Sequence, residues 1–171
     1  MELSVGSKVI YGTNGVCLIT DYREENFGNG KKMYYILKRV AQKTSEDIFV
    51  PEDNNILMGR IKFMLSEKEI YDIINAIPDE TVFWIDDNRI RSAEFDRIIS
   101  DGDRKQLMLL IKSIYEKKKA LALEGKKLGI SDERSMRTAE RILYEEFAEV
   151  LNMEKEDVIP FISNRLAAVS Q

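Results

Sequence analysis

The sequence contains no histidine, one cysteine, three prolines and one tryptophan among its 171 residues. The lack of histidine removes the commonest general base and the commonest metal ligand of proteins. Because Cys17 is alone, the chain cannot form an internal disulfide, which is typical of a reducing compartment. No apolar run approaches the roughly 20 residues of a membrane-spanning helix. The N-terminus has no basic segment followed by an apolar one. We therefore expect a cytoplasmic protein with no signal peptide and no membrane partner.

Catalytic motifs are also scarce. Asp86 and Asp87 are adjacent and cannot share one face of a helix, so we expect them to cap a helix start. Cys17 has no neighbouring base and is expected to be a small buried hydrophobe. The glycine-containing turns at 12–15 and 28–30 lack the GK[ST] ending of a phosphate loop. We expect no enzymatic activity, no cofactor and no metal.

Charge is distributed unevenly along the chain. The net charge is −4, yet residues 89–141 hold 14 Lys/Arg against 9 Asp/Glu. One basic stretch in an acidic chain is compatible with a small DNA-contacting footprint. Charge alone favours the alternative, that these basic residues lie on ordinary solvated helix faces.

Short β-rich runs occupy the first 65 residues. Asn14-Gly15 predicts a hairpin turn with left-handed backbone angles, because Asn tolerates them and Gly has no Cβ. Pro51 cannot donate to a ladder and should end a strand or lie at a sheet edge. The runs predict strands near 8–11, 16–24, 32–39 and 46–50, with a weaker fifth pattern near 56–59. Since closure hides strand edges, we expect residues 1–65 to form a small Tudor- or SH3-like β-barrel.

From residue 66 the spacing of apolar residues becomes helical. Ser66 and Glu69 have the spacing of a capping box, and Ser131 is expected to cap a later helix. Ile90 and Tyr115 are expected on inward faces. Helices are predicted from Ser66 to the proline at 78, near 87–100, near 103–124, from 131 to about 151, and around 158–166. The sequence thus predicts an α+β chain, β then α, with residues 66–171 as an all-helical domain.

Trp84 lies in the linker between the first and second of these helices, within an apolar island at 81–85. One interpretation is that the island packs the two halves of the chain together, since a lone tryptophan usually packs. The other is that Trp84, with Arg89 and Arg91 following, is an aromatic wedge that unstacks duplex DNA. Both interpretations remain open at this stage.

Several motifs, in order, resemble the CarD/CdnL family of bacterial transcription regulators. They are the opening VGSKVIYGTNGV at 5–16, Tyr35-Ile36-Leu37, Phe49-Val50-Pro51, Trp84, SDGDR at 100–104, LLIKSIY at 109–115 and AERILYEEF at 139–147. Each motif alone is weak, but their order and spacing cover essentially the whole chain.

The resemblance implies a Tudor-like domain, similar to that of the transcription-repair coupling factor, that docks on the RNA polymerase β subunit. It also implies a helical domain that contacts promoter DNA at the upstream edge of the bubble and stabilises the open complex. An edge strand near 46–50 would pair with the β subunit. The implied polymerase contacts are Leu37, Phe49 and Pro51, and the implied DNA contacts are Trp84 as the wedge with Arg89, Arg91, Arg134 and Arg137. We expect a monomer that reaches the nucleoid through polymerase and binds free DNA weakly.

Three positions depart from the family pattern. Where the family usually has a Tyr-Pro-x-His-Gly turn, this chain has Tyr-Gly-Thr-Asn-Gly at 11–15. Where the family often has an arginine just before the Val-Pro pair, this chain has Phe49. Where the family has two basic residues just after the tryptophan, this chain has Asp86 and Asp87. Docking is therefore expected to depend more on apolar contact and strand pairing. The alternative function is a protein–protein adaptor whose barrel binds a partner strand and whose helices never meet DNA. An exposed Trp84 beside basic residues would favour DNA binding, and a buried Trp84 would favour the adaptor.

Overall fold

The computed structural model describes residues 2–42 and 44–169. The chain forms two compact units, Met1–Met64 and Leu65–Gln171. The first contains a five-stranded antiparallel sheet, and the second is built from helices. The predicted α+β class, with strands before helices, is confirmed.

The sheet of the first unit has the strand order β4-β3-β2-β1-β5. Its strands are β1 (Lys8–Tyr11), β2 (Val16–Asn26), β3 (Lys31–Arg39), β4 (Ile48–Pro51) and β5 (Ile61–Phe63). The first four lie where the β-rich runs predicted them, and Pro51 ends its strand. Among the described residues, the outer strands β4 and β5 pair with one neighbour each, so no ladder closes the expected barrel.

The prediction of a short strand near 56–59 is wrong. These residues belong to a one-turn helix, α1 (Asn55–Met58), because the side chain of Asn54 accepts hydrogen bonds from the N–H groups of Ile56 and Leu57. Such an N-cap satisfies donors that a helix start would otherwise leave unpaired. The fifth strand follows this turn.

The turn between β1 and β2 has the predicted place but a different backbone. A 3₁₀ turn covers Gly12–Asn14, and Gly12 and Gly15 take positive φ angles of 49° and 74°. Asn14 does not, so the expectation that it supplies a left-handed angle is wrong. Gly12 and Gly15, at the two ends of the turn, supply the left-handed angles, since a residue without Cβ adopts them at little cost.

One hydrophobic cluster lies at the centre of the first unit. It consists of Val9, Tyr11, Cys17, Ile19, Leu37 and Val50, all buried. The Cys17 side chain is buried, as its surroundings in the sequence predicted. In β2 the register shifts between Ile19 and Asp21, and the hydroxyl of Thr20 donates to the carbonyl of Ile36 at this bulge. The Thr20 hydroxyl thus supplies a donor to the Ile36 carbonyl where the bulge interrupts the ladder.

Over the residues that the structure describes, the second unit contains five α-helices. They are α2 (Glu67–Ala76), α3 (Asn88–Asp101), α4 (Arg104–Leu123), α5 (Ile130–Val150) and α6 (Lys155–Val169). A 3₁₀ turn, Ile77–Asp79, continues α2, and residues 80–87 then reach α3 without regular structure. Within the described residues, no helix has both the length and the apolar character needed to cross a bilayer.

Two of the predicted helix starts are confirmed and one is wrong. Ser66 and Glu69 form a complete capping box, and the Asp87 carboxylate accepts from the N–H of Ile90. Ser131 does not cap α5, because the helix begins earlier, after Gly129, which offers no side-chain cap.

The apolar faces of α2 to α6 meet around buried residues of each helix, among them Ile70, Leu107, Leu143, Phe147 and Val158. Two residues that were expected on inward faces are not buried: Ile90 and Tyr115 are each more than half exposed. They lie at the margins of their apolar stripes, where sequence spacing does not distinguish core from surface.

This unit also holds a buried ion pair. Arg104 on α4 donates from Nε to Glu146 Oε2 at 2.8 Å and from Nη2 to Oε1 at 3.0 Å. The N–H of Leu65 also donates to Glu146, which is 1% exposed. The carboxylate thus joins the start of the unit to α4 and α5.

Candidate functional site

Strand β4 is an edge of the sheet in the first unit. It pairs with β3 in the register Leu37↔Ile48, Ile36↔Phe49 and Tyr34↔Pro51. Successive side chains of a strand point to opposite faces. Val50 accordingly enters the core, whereas Phe49 and Pro51 are half-buried. On its other side β4 pairs with no strand of the described chain, so this edge is free to accept one.

Three aromatic rings lie together beside this edge. Phe27 packs edge-on against Phe49 and Tyr34, with ring centroids 5.1 and 5.3 Å apart, and the Tyr34–Phe49 distance is 6.3 Å. We call these three residues the aromatic patch. Phe27 comes from the β2–β3 loop and is 57% exposed, while Tyr34 is largely covered. The patch therefore offers apolar surface next to an unpaired strand edge.

The three residues predicted as polymerase contacts have different places in the structure. Phe49 belongs to the aromatic patch, and Pro51 ends β4 beside it. Leu37 is fully buried in the hydrophobic cluster, because the β3 register turns it inward. We therefore remove Leu37 from the candidate surface. Phe27 was missed; the signal for it was a large aromatic residue within a Gly/Asn-rich hairpin loop.

Trp84, in the second unit, is half-buried and surrounded by three side chains. The Arg91 guanidinium carbon lies 4.4 Å from the centroid of its ring, and the Lys117 ammonium lies 5.4 Å away. The Phe95 ring packs edge-on at 6.1 Å. Cations over an indole face are held by the quadrupole of the ring. A fully exposed Trp84 would have favoured DNA binding and a buried one the adaptor. Because Trp84 is half-buried, its exposure does not decide between the two functions.

The linker that carries Trp84 is held from both sides. The Lys112 ammonium donates to the carbonyls of Ile77 and Glu80 at 3.1 and 2.7 Å. The Ser113 hydroxyl reaches the carbonyl of Phe83 at 3.5 Å. Both residues belong to α4. A segment without helix or strand needs such partners, because its carbonyls would otherwise lack them.

Arg91 holds the other side of the linker and is only 5% exposed. Its guanidinium binds Asp132 on α5 through two bonds, Nε to Oδ1 at 2.9 Å and Nη2 to Oδ2 at 2.8 Å. It also donates from Nη1 to the carbonyl of Ile85 and from Nη2 to Asn88, both at 2.7 Å. Arg91 therefore adjoins Trp84 as predicted, but as a buried group whose donors are engaged within the protein.

An open cavity of about 350 Å³ lies beside Trp84. Trp84, Arg91 and Lys117 line it together with Leu128 and Ser131 at the start of α5. Part of the indole therefore faces space that a ligand can reach. Lys117 was not singled out from the sequence, although it opens the Lys117-Lys118-Lys119 run on α4.

The remaining predicted DNA contacts are exposed but do not touch Trp84. Arg89 lines a second, apolar groove with Ile85 and Ile90. Arg134 and Arg137 follow Asp132 along α5, and Arg137 lies 3.9 Å from Glu133. The structure thus joins Arg91 and Lys117 to Trp84 and leaves the other three as separate surface cations.

The comparison with known families concerns the first unit. Residues 3–62 match the model of the CarD-like/TRCF RID domain. The first unit is therefore identified as a CarD-like/TRCF RID domain, and the resemblance to CarD-like proteins is confirmed in this part of the chain. The match indicates a transcription-related function through interaction with RNA polymerase. No curated protein sequence matches the chain.

Proposed function

We propose that this chain is a non-enzymatic transcription regulator that binds the RNA polymerase β subunit with its first unit and promoter DNA with its second. Contact at the upstream edge of the transcription bubble would then stabilise the open complex. The observation that carries the proposal is the family match of the unit whose edge strand β4 pairs with β3 on one side and, among the described residues, with no strand on the other.

Docking follows from the edge of the sheet. A β subunit strand that adds to β4 would satisfy backbone groups of both chains, and side-chain contacts beside it would give selectivity. The aromatic patch provides that contact, because Phe27 and Phe49 present apolar surface without a charge. This agrees with the loss of the basic residue that the family often carries at the position of Phe49.

We assign DNA contact to Trp84 and to Lys117, the cation that lies beside its ring and is only partly buried. Unstacking a base step costs a few kcal/mol, so a wedge gains most where polymerase has already opened the duplex. An indole can stack there in a sequence-tolerant way, worth roughly 1–3 kcal/mol. Lys117, 5.4 Å from the ring, is placed to attract a phosphate beside it.

The proposal is tested with purified primary-σ holoenzyme, a promoter fragment and the 171-residue chain. The measurement is the lifetime of the open complex after a competitor challenge. We expect Trp84→Ala to shorten this lifetime about five- to a hundredfold, by the stacking energy it removes. Polymerase pull-down by this variant should be unchanged. Phe49→Asp should abolish pull-down and, with it, any effect on the lifetime.

Matched substitutions serve as controls. Phe83→Ala removes the exposed aromatic neighbour of Trp84 and should leave the lifetime nearly intact. Phe63→Asp introduces the same charge at the opposite sheet edge, on β5, and should leave pull-down intact. A folded Phe49→Asp protein that still binds polymerase would contradict the docking site. If pull-down depends on Phe49 but Trp84→Ala has no effect, the adaptor function is supported instead.

A further inference from the structure

Arg91 and Asp132 form a second buried ion pair in the helical unit, and it lies directly against Trp84. Both side chains are 6% exposed, and the pair joins α3 to α5. The same guanidinium covers the indole at 4.4 Å and binds the carbonyl of Ile85, the residue that follows Trp84. One group therefore fixes the ring, the backbone beside it and the two helices around it.

We propose that Arg91 and Asp132 are positioning residues, which hold the indole of Trp84 in the orientation that contacts DNA. This inference rests on the proposed function of Trp84 as the wedge. In this proposal the two cations beside Trp84 have different roles. Arg91 holds the indole from within the protein, and Lys117 faces the DNA.

The hydrogen bonds of Arg91 argue against a direct phosphate contact. A guanidinium has five N–H donors, and those of Arg91 reach the Asp132 carboxylate, the Asn88 side chain and the carbonyls of Ile85 and Asp86. A phosphate could bind only by displacing these partners. Removing Arg91 from the pair would also leave the buried Asp132 carboxylate uncompensated, which is strongly unfavourable.

Holding the indole in its binding orientation before DNA arrives would favour insertion of the ring. A side chain that is already in its binding orientation loses little conformational freedom on insertion. The planar fork of arginine is suited to this, since two parallel bonds to a carboxylate define its orientation as well as its distance. Lysine would keep the charge and lose that geometry.

The first measurement uses the free protein, without polymerase or DNA. Trp84 is the only tryptophan, so intrinsic fluorescence reports on this site alone. We expect Asp132→Asn and Arg91→Lys to lower the anisotropy of Trp84 and to raise its quenching by acrylamide. Asn88→Ala removes one bond from an exposed residue, leaves the core intact, and should change both quantities in the same direction by less.

The second measurement is the open-complex lifetime, and here two interpretations predict opposite signs. If Arg91 bound a phosphate directly, Asp132→Asn would release it and remove a competing negative charge, so the complex would last longer. If Arg91 positions Trp84, the same change shortens the lifetime, about fivefold for a coupling of about 1 kcal/mol. Arg91→Lys should shorten it as well, although the charge is retained.

Glu146→Gln is the matched control, because it breaks the other buried ion pair of this unit, which binds Arg104. It should lower the melting temperature as Asp132→Asn does, yet leave the fluorescence of Trp84 and the lifetime near their original values. Unchanged fluorescence in Asp132→Asn and Asn88→Ala, or a longer lifetime in Asp132→Asn, would overturn the inference. The fluorescence could change as expected while Trp84→Ala leaves the lifetime unaffected. In that case the proposed role of Trp84 as a DNA wedge is wrong, and only the positioning of its ring in the free protein is supported.

Discussion

Leu37 and Phe49 belong to neighbouring strands, yet the pleat gives them opposite roles. Leu37 pairs with Ile48 and enters the hydrophobic cluster, whereas Phe49 pairs with Ile36 and packs into the aromatic patch. Burial makes Leu37 important for stability, and partial exposure makes Phe49 available for binding. The same distinction applies to Phe27, which is exposed and touches both other rings of the patch.

We expect Phe27→Ser to weaken polymerase binding about fivefold or more, as truncation of an interface residue worth over 1 kcal/mol does. The free energy of unfolding of the first unit should fall by only about 1 kcal/mol, the scale of the edge-on ring contacts it loses. Titration of the purified variant with polymerase, alongside denaturant unfolding, measures both quantities.

Leu37→Ala is the contrasting substitution. It should lower the free energy of unfolding by about 2–5 kcal/mol, because it leaves a cavity in the core. Affinity measured under conditions where this variant is folded should stay near the original value. A Phe27→Ser protein with unchanged affinity would remove the β2–β3 loop from the docking surface.

The start of α2 is an element whose stability depends on two side chains. The Ser66 hydroxyl accepts from the N–H of Glu69, and the Glu69 carboxylate accepts from the N–H and hydroxyl of Ser66. These bonds, the backbone one first, hold the pKa of Glu69 below its ordinary value. A carboxyl group with a lowered pKa in the folded state stabilises the fold above its ordinary pKa, and this stabilisation is lost as the pH falls through the lowered pKa.

We therefore expect Ser66→Ala to cost the helical unit about 1 kcal/mol near neutral pH, the usual cost of losing an N-cap. The cost should become smaller in acid, because protonated Glu69 no longer gains from the Ser66 hydroxyl in either protein. Thermal unfolding of both proteins across the acid range measures the difference. A penalty that stays constant or grows towards low pH would show that Glu69 does not contribute through its charge.

Elements with a strong local signal were predictable from the sequence, and features that depend on distant partners were not. Alternation and turn residues were enough to place β1 to β4, and the spacing of Ser66 and Glu69 located a helix start. The inward turn of Leu37 depends on which strand lies alongside. The cap at Asn54 is a local contact, and it was missed because a short apolar run such as 56–59 fits a strand and a helical turn equally well. Of the candidate site, Trp84 was singled out as the one tryptophan of the sequence, and Phe49 was singled out through the resemblance to the family. Asp132 was missed because its partner lies 41 residues away on another helix.

At the scale of the whole molecule, the basic residues of 89–141 are less available for contacting phosphates than the charge of this stretch implies. Residues 89–141 carry a surplus of basic residues, but Arg91 and Arg104 form ion pairs with the buried carboxylates of Asp132 and Glu146. Lys112 binds linker carbonyls, and Lys105 pairs with Glu80. These four of the fourteen basic residues of this stretch are thus engaged within the protein, and the chain as a whole is acidic. The proposed function therefore requires two attachments on one chain, since binding to polymerase would raise the effective concentration of the second unit at promoter DNA.

This arrangement predicts weak binding to DNA alone. We expect a Kd of order 10⁻⁴ M or weaker for duplex DNA at physiological salt, at the weak end of non-specific binding. Each phosphate contacted contributes about 0.9 to the slope of log affinity against log salt, so few contacts imply a shallow slope. Fluorescence titration of Trp84 with duplex and with forked DNA at several salt concentrations measures both. Lys117→Gln should reduce the slope by about one contact, whereas Lys126→Gln, which removes a cation paired with Glu124, should leave it unchanged. Tight binding to plain duplex in the absence of polymerase would contradict the two-point mechanism and indicate a conventional DNA-binding protein.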